Sequence, residues 1–222
     1  MKTVLITGVA RGIGRALAER FMAADYQVIG TVEHETEIAP LQNTTTLTLD
    51  LASEESIEDC VQTIQAQDIK ISILVNNAGT LVDENETAVV RETLTQTLAV
   101  NLIGTIDFTE RIIPLLEESA HIVNVSSSAG SLSLVGHESH HEGHYPSYKI
   151  SKAALNMYTR TLALRLERHA IVSSVHPGWT KTTIGGTNAD HTPKQAAEQI
   201  YTLATSSPAT GRFWYEGKEY PW

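Results

Sequence analysis

Short, β-rich apolar runs alternate along the chain with segments whose apolar residues recur at helical spacing. "TVLITG" (3–8) ends in glycine and predicts a first strand, and "GIGRALAERFMAADY" (12–26) predicts the helix that follows it. "QVIGTV" (27–32) and "TLTLD" (46–50) predict the next two strands. From Ser53, "SEES" reads as a serine cap followed by acids in the first turn of a helix. "ISILVNNAG" (71–79), "HIVNVSSS" (121–128) and "IVSSVHPG" (171–178) predict three buried strands, and "GRFWYEG" (211–217) a closing one. Helical patterns cover about 87–116, with a disturbance near Pro114, then about 148–168 and 192–205, where Thr192-Pro193 is a good opening. Apolar strands alternating with helices need cover on both faces, so the expected fold is α/β, a doubly wound parallel sheet of about seven strands. Neither a linker nor an internal repeat is visible, so residues 1–222 are read as one domain.

The chain has 222 residues, 41% of them hydrophobic, which is enough for a substantial core. Its 26 acids against 16 Lys and Arg leave a formal charge of −10, which argues against nucleic acid and anionic membranes as partners. A single cysteine, Cys60, allows no internal disulfide and fits a reducing cytoplasm. No apolar run approaches the ~20 residues that span a bilayer.

Candidate chemistry lies in two places. "TGVARGIG" puts Gly8, Gly12 and Gly14 between the first strand and the first helix, where glycines let backbone N–H groups approach a pyrophosphate. "YPSYKISKAALNMY" (145–158) holds two overlapping tyrosine–lysine pairs four residues apart, Tyr145/Lys149 and Tyr148/Lys152. Each pair shares a helix face, and an ammonium beside a phenol favours phenolate. Pro146 marks a helix start and leaves Tyr145 outside it.

The glycine spacing resembles that of the short-chain dehydrogenase/reductase family, and the resemblance continues in family order through "NNAG" (76–79), "VNLIG" (100–104), "IVNVSSSAG" (122–130), "YKISKAALN" (148–156) and "HPGWTKT" (176–182). It implies a single-domain Rossmann fold and a nicotinamide cofactor. It also implies a catalytic set of Ser127, Tyr148, Lys152 and Asn101, because Tyr148-x3-Lys152-Ala153 fits the family pattern and Tyr145-x3-Lys149-Ile150 does not. Tyr148 would protonate a carbonyl oxygen as hydride arrives at carbon. Lys152 would move the phenol toward working pH and bond the nicotinamide ribose. Ser127 would donate to the substrate oxygen, and Asn101 would hold a water beyond Lys152. Gly8, Arg11, Gly12, Ile13, Gly14, Glu33, Asp50, Leu51, Asn76, Ala78, Gly79, Tyr148, Lys152, Pro177, Gly178, Thr180 and Thr182 would line the cofactor. Asp50 reads equally as a turn or cap aspartate.

Cofactor choice rests on two residues. Arg11 stands where family members bind the 2′-phosphate of NADP, whereas Glu33 stands where an acid bonds the ribose of NAD. The two could also pair with each other. NADP(H) is the preferred reading and NAD(H) the alternative. Between Ser127 and Tyr148 the chain is longer than is usual in the family. The added stretch, "VGHESHHEGHY", carries His137, His140, His141 and His144. It is read as a polar rim loop and no metal is expected, since no cysteine accompanies the histidines. Such an insertion resembles the monomeric carbonyl reductases, with Ser128, Tyr145 and Trp179 as pocket residues. The reading is therefore a cytoplasmic NAD(P)(H)-dependent carbonyl reductase acting on a small carbonyl or alcohol compound, as monomer or homodimer. A dinucleotide-sensing protein that turns nothing over is the alternative.

Overall fold

The structure, a computed structural model, describes residues 1–35, 44–137 and 143–222. Eight strands form one sheet in the order β3-β2-β1-β4-β5-β6-β7-β8. The strands are β1 (Thr3–Ile6), β2 (Gln27–Val32), β3 (Thr44–Thr48), β4 (Ile71–Asn76), β5 (Leu116–Val125), β6 (Ala170–Val175), β7 (Arg212–Tyr215) and β8 (Lys218–Glu219). The first seven run parallel and β8 turns back antiparallel to β7. The expected α/β class is therefore present, with one strand more than the sequence pattern indicated. The extra strand comes from Glu216 and Gly217, both at positive φ, which form a two-residue hairpin turn.

The helices are α1 (Gly12–Met22), α2 (Glu54–Gln65), α3 (Arg91–Leu98), α4 (Thr105–Ile112), α5 (Pro146–Arg165) and α6 (Pro193–Ala204). Strand alternation explains where they pack. Val4, Ile6, Val28, Ile73 and Val75 face α1 and α6, where Leu17, Phe21 and Ile200 meet them. Leu5, Ile29, Leu74 and Ile122 face the other way, against Ile57, Ile64, Phe108 and Leu162 of α2, α4 and α5. The chain winds from β1 outward to β3, then crosses to β4 on the other side of β1. This reversal opens a crevice beyond the carboxyl ends of β1 and β4, the usual ligand position in such sheets.

The segment expected as one helix over about 87–116 is broken instead. Residues 87–90 are not helical, and α3 begins at Arg91. A wide π-type turn over Ala99–Gly104 follows, then α4, and a tight turn at Ile113–Leu115 leads into β5. Pro114 has no N–H to continue the ladder, which accounts for the last break. The π-type turn surrounds Asn101, whose side chain is bonded outside the helix. Among the described residues no helix is long and apolar enough to cross a membrane.

One core group predicts an acid sensitivity. His121 on β5 is buried, with Nδ1 3.2 Å from the Ala204 carbonyl and Nε2 2.9 Å from the Ser173 hydroxyl. Burial lowers its pKa from 6.5 to about 4. Below pH ~6.5 the unfolded chain binds a proton that the folded one refuses, so stability falls as pH drops, by about 3 kcal/mol at pH ~4. Urea unfolding at neutral and acid pH should show this loss, and His121→Gln should remove that share of it. An unchanged pH slope in the variant would refute the assignment.

Candidate active site

The glycine loop is fixed by the two strands that flank the crevice. Thr31 of β2 accepts from the amides of Gly8 (3.0 Å) and Val9 (2.8 Å). From the β4 side, Asn77 donates its side-chain amide to the carbonyls of Thr7 (2.9 Å) and Gly8 (3.2 Å). The Thr7 hydroxyl accepts in turn from the backbone amides of Asn77 and Ala78, each at 3.0 Å. Gly8 and Gly12 have φ of +76° and +61°, a region glycine enters freely. Gly14 is required for contact rather than conformation: a Cβ there would stand 2.0 Å from the Gly8 carbonyl oxygen.

This loop suits an anion. Arg11, the cap residue of α1, gives no side-chain cap, and the first turn carries no acid. The leading N–H groups therefore face outward with the positive end of the helix dipole behind them. Arg11 is exposed at the loop edge, and Ile13 is partly buried against the core. Glu33 is exposed, with its carboxylate 3.8 Å from His34 Nε2.

Other expected cofactor residues divide by what their side chains touch. Asn76 points inward, donating to Thr109 and Asn124 at 2.8 Å each, while its neighbour Asn77 holds the glycine loop. Asp50 makes a turn bond to the Ala52 amide (2.8 Å), and the Leu51 side chain is in the core. Ala78 lies against Gly8, and Gly79 lies against Asn101 Oδ1 and Lys152 Nζ. Beyond β6, Pro177, Gly178 and Thr180 are buried, and the Thr180 hydroxyl bonds the Gly178 carbonyl at 3.0 Å. The Thr182 methyl would lie 3.3 Å from a Cβ at Gly12, so this segment closes over the glycine loop.

The second half of the site is built on β5 and α5. Helix α5 opens at Pro146, and Tyr145 stands outside it as the cap residue. Of the three serines after β5, Ser126 and Ser128 are buried and Ser127 is not. The Ser128 hydroxyl is 3.3 Å from His176 Nε2, turned into the interior rather than toward a pocket. The Ser127 oxygen accepts from the Ala129 amide at 3.1 Å, which directs its own proton elsewhere. Ser127 lies near enough to Tyr148 to pull its pKa downward. Lys152 is buried, with Nζ 2.9 Å from the Val125 carbonyl and 5.6 Å from the Tyr148 ring centre. Asn101 bonds both backbone groups of Thr80, at 2.7 and 2.8 Å, and donates to Ser151 Oγ at 3.1 Å. Ser151 donates to the Tyr148 carbonyl at 2.7 Å, which joins Asn101 to the tyrosine's own turn.

Burial acts on both members of the Tyr148/Lys152 pair. Burial pushes the Tyr148 phenol up to about 12, against the opposing pull of Ser127, and Tyr145 adds to the rise. Burial also lowers Lys152 to about 8. The Lys152 ammonium donates to the Val125 carbonyl.

At the rim, the Tyr145 ring stands edge-on to that of Tyr148 at 6.1 Å, and Lys149 Nζ donates to the Gly143 carbonyl at 2.8 Å. Trp179 is 47% exposed, its indole N–H donating to the Gly185 carbonyl. His137 and His144 are exposed, and His140 and His141 lie outside the described residues. Two contributors were missed by sequence reading. Asn77 stood inside a quoted motif, but Asp83, which bonds the Ser147 amide, had no local signal.

Comparisons with known proteins agree with this fold. The family model described as short chain dehydrogenase matches residues 2–193. The 3-oxoacyl-[acyl-carrier-protein] reductase FabG of Aquifex aeolicus is 32% identical over 219 residues, covering 93% of this chain and 85% of that protein. Among solved structures, the carbonyl reductase Sniffer of D. melanogaster is 28% identical with a TM-score of 0.88, and each chain is covered in full. The NADPH-bound carbonyl reductase from chicken fatty liver is 26% identical with a TM-score of 0.90, covering 100% of this chain and 99% of that one.

Proposed function

Because this chain belongs to the short-chain dehydrogenase/reductase family of oxidoreductases, we propose that it reduces aldehydes or ketones with NADP(H), using Tyr148 as the proton donor. The observation that carries this reading is the placement of Tyr148, in the first turn of α5 with Lys152 Nζ 5.6 Å from its ring centre and its carbonyl tied through Ser151 to Asn101. A tyrosine phenol, with a pKa of about 10 or above, is protonated at neutral pH. A protonated group suits reduction, in which a carbonyl oxygen gains negative charge and takes a proton.

The glycine loop and the first turn of α1 would hold the dinucleotide, which would supply hydride. Ser127 donates a hydrogen bond to the carbonyl oxygen, and Tyr148 gives that oxygen its proton. Lys152 places a positive charge beside the site and would bond the ribose. Asn101 holds the Thr80 backbone and, through Ser151, the turn that bears Tyr148. Tyr145 and Trp179 offer apolar walls to the substrate. The presence of the whole Ser–Tyr–Lys–Asn set speaks against a protein that only senses dinucleotide. All of these residues belong to the single Rossmann domain read over 1–222.

Fluorescence titration with NADPH and NADH, followed by assay against a panel of aldehydes and ketones, tests the reading. A charge-assisted bond from Arg11 to the 2′-phosphate is worth about 1.5–3 kcal/mol. Arg11→Ala should therefore weaken NADPH roughly 10–150-fold and leave NADH within about twofold. A wild-type preference for NADH would give the ribose to Glu33 and shift the reaction toward alcohol oxidation. Binding of neither dinucleotide would sink the assignment.

A further inference from the structure

Helix α5 is capped from outside itself. Its cap residue, Tyr145, sits at φ 22°, ψ 65° and makes no side-chain cap bond, and Pro146 has no N–H to offer. The first donor of the helix is therefore the Ser147 amide, one residue before Tyr148. Asp83, from the loop after β4, accepts from that amide at 2.6 Å across 64 positions of sequence. The Asp83 carboxylate is fully buried, and its second oxygen has no hydrogen-bond partner in the protein. An anion so placed is costly unless something offsets it. The charge-assisted bond and the positive end of a 20-residue helix do so here.

The other end of the same loop is also held, since Asn101 bonds Thr80 through both backbone groups. Residues 80–83 thus form a strap between the π-type turn and the first turn of α5. Through Ser151, Asn101 reaches the Tyr148 carbonyl as well. The catalytic turn is gripped on its N-terminal side by Asp83 and from within by Ser151. We infer that Asp83 is a positioning residue of the reaction: it sets where the first turn of α5 begins, and so where the Tyr148 hydroxyl stands relative to Ser127. This rests on Tyr148 being the proton donor proposed above.

The test compares Asp83→Asn, which keeps an acceptor for the Ser147 amide, with Asp83→Ala, which removes it. Three quantities are read: kcat, NADPH affinity, and the ring-carbon NMR resonance of Tyr148, identified by its disappearance in Tyr148→Phe. Asp83→Ala should lower kcat by about tenfold or more, since displacement of a reacting group by an ångström has effects of that order. It should also move the resonance while NADPH affinity stays within about twofold. Asp83→Asn should keep rate and resonance near wild type. A folded Asp83→Ala protein with wild-type kcat and an unmoved resonance overturns the inference, as does an Asp83→Asn protein equally impaired. If Asp83→Ala does not fold, Asp83→Glu decides. One added methylene should shift the resonance and slow turnover, and no change in either overturns the inference. Should the wild-type protein reduce no carbonyl compound, the proposed function fails, but the resonance comparison still tests the strap.

Discussion

Replacing Tyr148 with phenylalanine is expected to lower kcat about a thousandfold while NADPH affinity stays within about twofold, since positioned proton transfer contributes factors of this size. The substitution removes one oxygen and leaves the ring, so the packing against Tyr145 is kept. What is lost is the transferable proton. The matching control is Tyr145→Phe, which should retain near-full turnover. Tyr145 lies outside the helix, and its neighbouring ammonium, Lys149, is engaged with the Gly143 carbonyl. Steady-state kinetics with a fluorescence titration of NADPH separate the two effects. If Tyr148→Phe kept near wild-type turnover and Tyr145→Phe lost it, the assignment of the two tyrosine–lysine pairs would have to be exchanged.

A second large effect is expected from a single methyl group at Gly14. The added carbon would meet the Gly8 carbonyl oxygen at 2.0 Å and the Asn77 amide nitrogen at 2.6 Å. Neither contact is the free end of a flexible chain. The carbonyl belongs to the glycine loop, and the Asn77 amide is bonded to the carbonyls of Thr7 and Gly8. Forcing them apart should cost about 3 kcal/mol, the upper part of the range for overpacking. For a chain of this size that corresponds to a fall in Tm of roughly 6–12 °C. Because the loop moves with the clash, NADPH affinity should drop as well. Thermal melting and titration of Gly14→Ala check both, and a melt indistinguishable from wild type would show that the close approach is absent in solution.

Much of this protein was legible without coordinates because its signals are local. The glycine loop follows a β-rich run and precedes a 3.6-residue period, so strand, turn and helix are specified within about twenty residues. Tyr148 and Lys152 declare a shared face by spacing alone. Thr192 and Gln195 form the capping box that opens α6, where the sequence placed a helix start. The helix over about 87–116 was legible only in outline. Its apolar period continues through Asn101, but the wide turn there accompanies bonds to Thr80, a partner 21 positions away that no helical pattern reveals.

The sequence by itself determined the α/β class, the order of the elements, the family, and the candidate residues, because each depends on residues close together along the chain. Tertiary structure decided what depends on residues brought together across it. It made Asn77 rather than Asn76 the side chain that holds the glycine loop, and it buried Ser126 and Ser128 while leaving Ser127 accessible. It also brought Asp83 to the start of α5. The direction of the Tyr148 shift was likewise decided in three dimensions. A sequence shows that an ammonium is near a phenol, but the water lost around each is a property of the packed interior.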